Sequence, residues 1–300
     1  MNKSILSVHD LNKKEILNIL NLSKSLKKQR YNNKLKNKNI ALIFQKPSTR
    51  TRVSFEVGIN QLGGNSIVLN WNDLQLGREE TVEDTVKVLE RYCDAIIARV
   101  YSHEDLVKMN NVSKIPIINA LSDMEHPCQI LSDLFTIYEH FGSFNNLKLA
   151  YIGDGNNVCN SLILGCAILG INISVATPKG YEPDYDIIKK AKKISKNEIN
   201  LLNKPIDAVN NANILYTDIW VSMGKENETK KRLKVFKKYQ INKNLLRFSN
   251  KNSIVMHCLP ARRGLEITND IIDSKNSIIW TQSENRLHMQ KAIILKLLKL

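Results

Sequence analysis

Apolar residues gather in short runs that alternate with amphipathic stretches along the whole chain. Runs at 39–44, 66–69, 94–98, 115–118, 148–152, 172–176, 214–216, 253–256 and 277–279 lack in-out alternation, so they predict strands buried on both faces. Between them lie segments of helical period. In 52–62, Phe55, Ile59 and Leu62 recur at i, i+4 and i+7, with Val53 and Val57 beside them. The longest apolar stretch, 161–176, holds two glycines and Asn172. It predicts a buried helix running into a buried strand and falls short of a membrane span. A strand–helix–strand rhythm with such strands predicts parallel sheets covered by helices.

The expected fold class is therefore α/β: two parallel-sheet α/β domains flanked by helices and joined at an active-site cleft. Turn formers at 142–146 set the boundary, giving domains 1–142 and 143–283. A final helix over 284–300, apolar on one face, is expected to pack back on the first domain.

Composition changes this picture little. The 300 residues suffice for two cores, and 43% hydrophobic with 24% charged residues is a globular profile. Residues 1–12 hold no apolar stretch of signal-peptide length. Five cysteines, an odd number without a CxxC pair, fit a reducing compartment, so a cytoplasmic location is expected. The formal charge of +15 invites a nucleic-acid reading. The lysines cluster at 24–38 and 189–196 among Asn and Ile, without the repeated aromatics that would stack bases. They read as solvated helix faces, so neither nucleic acid nor membrane is an expected partner.

Candidate chemistry sits in three clusters, each after a predicted strand. Gln45-Lys-Pro-Ser-Thr-Arg-Thr-Arg52 opens a helix. Its hydroxyls can cap that helix, and the free N–H groups of a helix start form an anion site suited to phosphate. Plain capping leaves Arg50 unexplained, because the helix dipole disfavours a cation in the first turn. Glu125-His-Pro-Cys-Gln129 is a second loop-to-helix junction, where His126 and Gln129 share a face and could read a carbonyl and an amide. His126 alone would read as a satisfied core histidine. His257-Cys-Leu-Pro260 is the third. In open parallel sheets ligands bind at the carboxyl ends of strands, the edge all three clusters occupy.

Together these residues resemble the aspartate/ornithine carbamoyltransferase family. Ser-Thr-Arg-Thr-Arg and His-Pro-x-Gln are shared across it, while Asp218-x-x-x-Ser-Met-Gly224 and His257-Cys-Leu-Pro260 are similar to its ornithine branch. The likeness runs from about residue 6 to the C-terminus and includes Asp73-Leu-Gln-Leu-Gly77, Gly153-Asp-Gly-Asn-Asn157 and Glu284-Asn-Arg286. It implies transfer of a carbamoyl group from carbamoyl phosphate to L-ornithine without metal or other cofactor. Phosphate would lie on Ser48, Thr49, Arg50 and Thr51, helped by Gln75 from a neighbouring subunit. Thr51, Arg99 and His126 would polarise the carbonyl. Gln129, the backbone carbonyls of Cys258 and Leu259, and Arg286 would hold the amide. Asn157, Asp218, Ser222 and Met223 would grip ornithine, Cys258 would act on its amine, and the loop 221–227 would close over it. The family likeness also implies a homotrimer or an assembly of trimers. Two positions depart from the family: Gln45 where Glu is usual, loosening an ion pair, and Glu79 where Gly is usual, changing the loop beside Gln75.

Rival readings fit less well. Gly153-Asp-Gly155-Asn-Asn-Val158 imitates a dinucleotide fingerprint, but Val158 replaces its third glycine and the next strand ends Ala176-Thr-Pro without a ribose-binding acid. No GxxxxGK[ST] occurs. A non-catalytic shell would be expected to lose some of Arg50, His126, Asp218 or Cys258. Among sister enzymes, putrescine lacks the amino-acid head that Ser222-Met223-Gly224 suits, and N-acetylornithine lacks the ammonium that Asp218 suits. An aspartate enzyme would lack Cys258 and the Ser-Met-Gly loop.

Overall fold

The computed structural model describes residues 4–75, 80–222 and 224–300. The chain forms two compact units, Met1–Phe135 with Asn285–Leu300, and Thr136–Glu284.

The first unit begins with α1 (Lys13–Lys28), capped by Asn12 in a capping box with Glu15. There follow β1 (Asn39–Phe44), α2 (Thr49–Gln61), β2 (Asn65–Asn70), α3 (Val82–Leu89), β3 (Ala95–Arg99), α4 (His103–Val112) and β4 (Ile117–Leu121). The strands pair in parallel in the order β2-β1-β3-β4. Ile40, Leu42, Ile96 and Ile97 are wholly buried, as expected for strands that pack on both faces. The next helix, α5 (Pro127–Phe141), crosses from the first unit into the second.

The second unit continues with β5 (Lys148–Ile152), α6 (Asn157–Leu169), β6 (Asn172–Ala176), α7 (Tyr185–Ile194), β7 (Ile199–Leu202), α8 (Pro205–Val209) and β8 (Ile214–Thr217). Then come α9 (Thr229–Phe236), α10 (Lys243–Leu246), β9 (Ile254–His257), α11 (Asn269–Ile272) and α12 (Ile279–Leu298). This sheet is also parallel, in the order β7-β6-β5-β8-β9. The predicted strand at 277–279 is not one. Ser277 makes a single bridge to Val255, and Ile279 already opens α12. An unpredicted strand, β7, lies at the sheet's edge.

The C-terminal part of α12 belongs to the first unit and is locked there by Lys291. Gly58 of α2 lets the two helices approach: a Cβ there would lie 3.1 Å from Lys291 Cγ. The buried ammonium donates to Gln61 Oε1 (2.9 Å), Arg30 O (3.2 Å) and Leu26 O (3.4 Å), so it caps the carboxyl end of α1. Burial, with Arg30 adding to it, pulls this lysine down to about 8. Lys291→Met keeps the bulk but strips these acceptors of their donor. It is expected to destabilise the protein by about 2–3 kcal/mol, read as a lower urea midpoint.

Candidate active site

In the first unit the carboxyl ends of β1 and β3 bring Arg50 and Arg99 into a cationic cluster that Arg286 of α12 completes. Ser48 caps α2, accepting the Thr51 N–H at 3.3 Å, and Thr49 begins the helix exposed. Thr51 is buried, and its Oγ1 accepts from Arg286 Nη2 (2.8 Å) and Arg99 Nη1 (3.5 Å). With its lone pairs taken by guanidinium groups, the hydroxyl has its own proton left to donate. Burial, then the charges of Arg286 and Arg50, pull Arg99 down to about 10. Among the described residues no carboxylate forms an ion pair with Arg99, and its Nε has no hydrogen-bond partner. Such concentrated positive charge at a helix start demands an anion.

His126 stands beside this cluster, just before α5. Burial, reinforced by Arg286 and Arg99, pushes it well below its ordinary value, so it works as a neutral imidazole. Gln129 lies one turn on, buried, with Nε2 donating to Asp133 Oδ1 at 2.8 Å. Cys128 turns the other way, its thiol on Asn119 O at 3.3 Å, and burial holds it at about 12. The second arginine of the motif, Arg52, is a surface residue paired with Glu56 at 3.0 Å. Gln45 forms no ion pair; its Oε1 accepts from the Tyr101 N–H at 2.6 Å and ties the end of β1 to the chain after β3. Gln75 is exposed on the loop after β2. Glu79 lies outside the described residues.

The second unit gathers an acid and a thiol at the ends of β8 and β9. Cys258 Sγ donates to Asp218 Oδ1 at 3.0 Å, and the Ile219 N–H donates to the same oxygen at 2.8 Å. Asn156 Nδ2 donates to Oδ2 at 2.7 Å, while Asn156 Oδ1 caps α6 through the Val158 and Cys159 N–H groups. Asn157 opens that helix. His257 is buried and committed elsewhere: Nδ1 accepts from the Leu259 N–H (2.9 Å), which leaves Nε2 as the donor to Glu266 Oε1 (3.1 Å). Asp218, His257 and Cys258 offer ligand atoms within 4.8 Å of one another, close enough for a metal ion. A metal there would have to displace one of the hydrogen bonds of His257. Leu259 takes a left-handed φ of 59°, an unusual backbone state that bends the chain sharply after β9.

The glycines at 153 and 155 have a local explanation. A Cβ on residue 155 would run into the backbone of Glu182 and Pro183, so the chain itself, rather than a pyrophosphate, fills the space a dinucleotide fingerprint reserves.

Residues 3–139 match the family described as aspartate/ornithine carbamoyltransferase, carbamoyl-P binding domain, and residues 145–297 match its Asp/Orn binding domain. The chain belongs to the aspartate/ornithine carbamoyltransferase family. Within that family, the ornithine carbamoyltransferase of Archaeoglobus fulgidus is 49% identical over 300 residues, spanning 99% of this chain and 97% of that one. A Thermoplasma volcanium protein named ornithine carbamoyltransferase, catabolic, is 50% identical over 301 residues, 99% of this chain and 98% of its own. The solved ornithine carbamoyltransferase from Pyrococcus furiosus superposes with a TM-score of 0.94 at 47% identity, covering 98% of this chain and 96% of that one.

Several residues around these carbamoyltransferase motifs escaped the sequence. Asp133 and Asn156 each hold a candidate site residue by a side-chain bond. Arg232 fastens both ends of the loop 221–227. It donates to Trp220 O (3.0 Å) before the loop and Glu228 Oε2 (2.7 Å) after it, and its Nη1 also reaches Asp154 Oδ2 (2.8 Å). Its face stacks on Tyr181 at 4.8 Å. Ser222 lies inside that loop, half-buried, and Met223 lies outside the described residues.

Proposed function

We propose that this protein transfers the carbamoyl group of carbamoyl phosphate to the side-chain amine of L-ornithine, giving L-citrulline and phosphate. The observation that carries the reading is the convergence of Arg99 and Arg286 on Thr51, with the Arg50 charge beside them, at the start of α2. The phosphate sits on Ser48, Thr49, Arg50 and Thr51. Thr51, Arg99 and neutral His126 donate to the carbonyl oxygen as negative charge develops there. Gln129 Oε1 and Arg286 address the carbamoyl end.

Asp218 takes the free ammonium of the amino-acid head, with Asn157, Ser222 and Met223 completing the grip. The δ-amine attacks the carbonyl carbon, a tetrahedral intermediate forms, and the C–O bond to phosphate breaks as the nitrogen loses its proton. An alkyl ammonium titrates near ~10.4, so reaching the neutral nucleophile at pH 7 costs about 4–5 kcal/mol. Nearby arginines lower that cost by disfavouring a second cation. Cys258, oriented by Asp218, steers the amine proton or relays it, taking that proton as its own thiol proton passes to Asp218 Oδ1. Cys258→Ser is therefore expected to lower kcat about 10- to 100-fold and raise KM for ornithine, with KM for carbamoyl phosphate little changed in initial-rate assays.

Two further parts of the reading rest on the chain's surface and chemistry. Val53 and Val57, exposed one turn apart on α2, and exposed Ile67 on edge strand β2 support a homotrimer built through this face, with Gln75 reaching a neighbouring subunit. The five free, buried cysteines support a cytoplasmic enzyme. Incubation with carbamoyl phosphate and ornithine, putrescine, N-acetylornithine or aspartate tests the assignment. Phosphate and ureido product should appear with ornithine, and product with another amine alone would overturn it.

A further inference from the structure

The carboxamide of Gln129 has its orientation set from one turn away. Gln129 and Asp133 stand at i and i+4 on α5, 1% and 0% exposed, with Nε2 donating to Oδ1 at 2.8 Å. Only the nitrogen of the amide can donate to that carboxyl oxygen, so the contact turns Oε1 away from Asp133. That oxygen is sealed from solvent, and among the described residues nothing donates to it. A buried acceptor left without a donor is unfavourable, so a ligand that brings an N–H to it gains what the empty protein lacks. Its neighbour one turn earlier, His126, feels the charges of Arg286 and Arg99, which places this stretch of α5 at the cationic cluster.

We propose that Asp133 is a positioning residue that makes the site select a carbamoyl over an acetyl donor. By fixing Nε2 inward it leaves an acceptor that only an N–H of the donor can satisfy. Carbamoyl phosphate offers such an N–H; acetyl phosphate offers a methyl group of similar size in its place and leaves Oε1 unpaired. The inference rests on the function proposed above and deepens it, since family membership alone says nothing of how Gln129 is held.

The test is the ratio of the inhibition constant of acetyl phosphate, competing against carbamoyl phosphate, to the KM of carbamoyl phosphate. In the wild type the ratio should be at least about tenfold above one. In Asp133→Asn, residue 133 can donate as well as accept, so the amide of Gln129 is free to turn over. The ratio should then fall by at least about fivefold, through a higher KM for carbamoyl phosphate with little change for acetyl phosphate. Gln129→Met, whose thioether accepts only weakly, should bring the ratio near one, and adding Asp133→Asn to it should change nothing further. A merely structural role would weaken both phosphates alike; an unchanged ratio in Asp133→Asn overturns the proposal. If that variant does not fold, a wild-type ratio near one overturns it equally. Failure to form citrulline from carbamoyl phosphate in the wild type would instead sink the underlying functional reading.

Discussion

Arg50→Ala is expected to reduce kcat/KM for carbamoyl phosphate by about 100- to 1000-fold while moving KM for ornithine no more than a few-fold. The size follows from position. Arg50 lies in the first turn of α2, where the helix dipole opposes a cation, and its charge adds to those of Arg99 and Arg286. Like charges so placed repel one another, and the repulsion is relieved when a dianion arrives. Loss of Arg50 therefore costs the bound state one charge-assisted contact and spares the empty protein part of its strain. The same variant should consequently be no less stable than the wild type without ligand, yet gain less in melting temperature from added inorganic phosphate. Unchanged kinetics, or a variant crippled only because it unfolds, would contradict this account.

Much of the fold was legible because both sheets are parallel. Strands buried on two faces must be apolar throughout, and runs such as 39–44, 148–152 and 172–176 declared themselves with the bounds the structure gives. The exceptions share a cause. Strand β7 lies at an edge, with Asn200 and Leu201 exposed, so its sequence lacks the signature of full burial. The stretch at 277–279 has β-branched residues but no neighbour to pair with beyond one bridge, and the helix takes it over. At the site, residues in motifs were legible because a strand end and a helix start lie next to each other in sequence. What no spacing revealed is orientation: that Arg286 closes on Thr51, 235 residues away, or that Arg232 clasps Asp154 across 78. The motif Ser-Thr-Arg-Thr-Arg likewise hides that one arginine serves the cluster and the other a surface ion pair.

Asp218→Asn is expected to have the largest effect on the second substrate, lowering kcat/KM for ornithine about 1000-fold. The substitution is nearly isosteric, yet every oxygen it alters is in use. Oδ1 accepts from Cys258 and Ile219, and Oδ2 accepts from Asn156. An asparagine must point its N–H groups at one of these donors. Turned toward Asn156, it demands that Asn156 flip, but the oxygen of Asn156 is the cap of α6 and cannot be spared. Turned toward Ile219, it sets two N–H donors against each other and dislodges the Cys258 thiol. Either way the ammonium of ornithine loses its counter-charge and the thiol loses its orienting acceptor. Binding and turnover should fall together, whereas carbamoyl phosphate, whose phosphate and carbonyl are assigned to residues of the first unit, should keep most of its affinity in equilibrium binding. Because the lost interaction is with a free ammonium, the preference for ornithine over N-acetylornithine should narrow as well. Should Asp218→Asn bind ornithine as the wild type does, the assignment of the amino-acid head to this carboxylate is wrong, and the acid serves only to hold Cys258 in place.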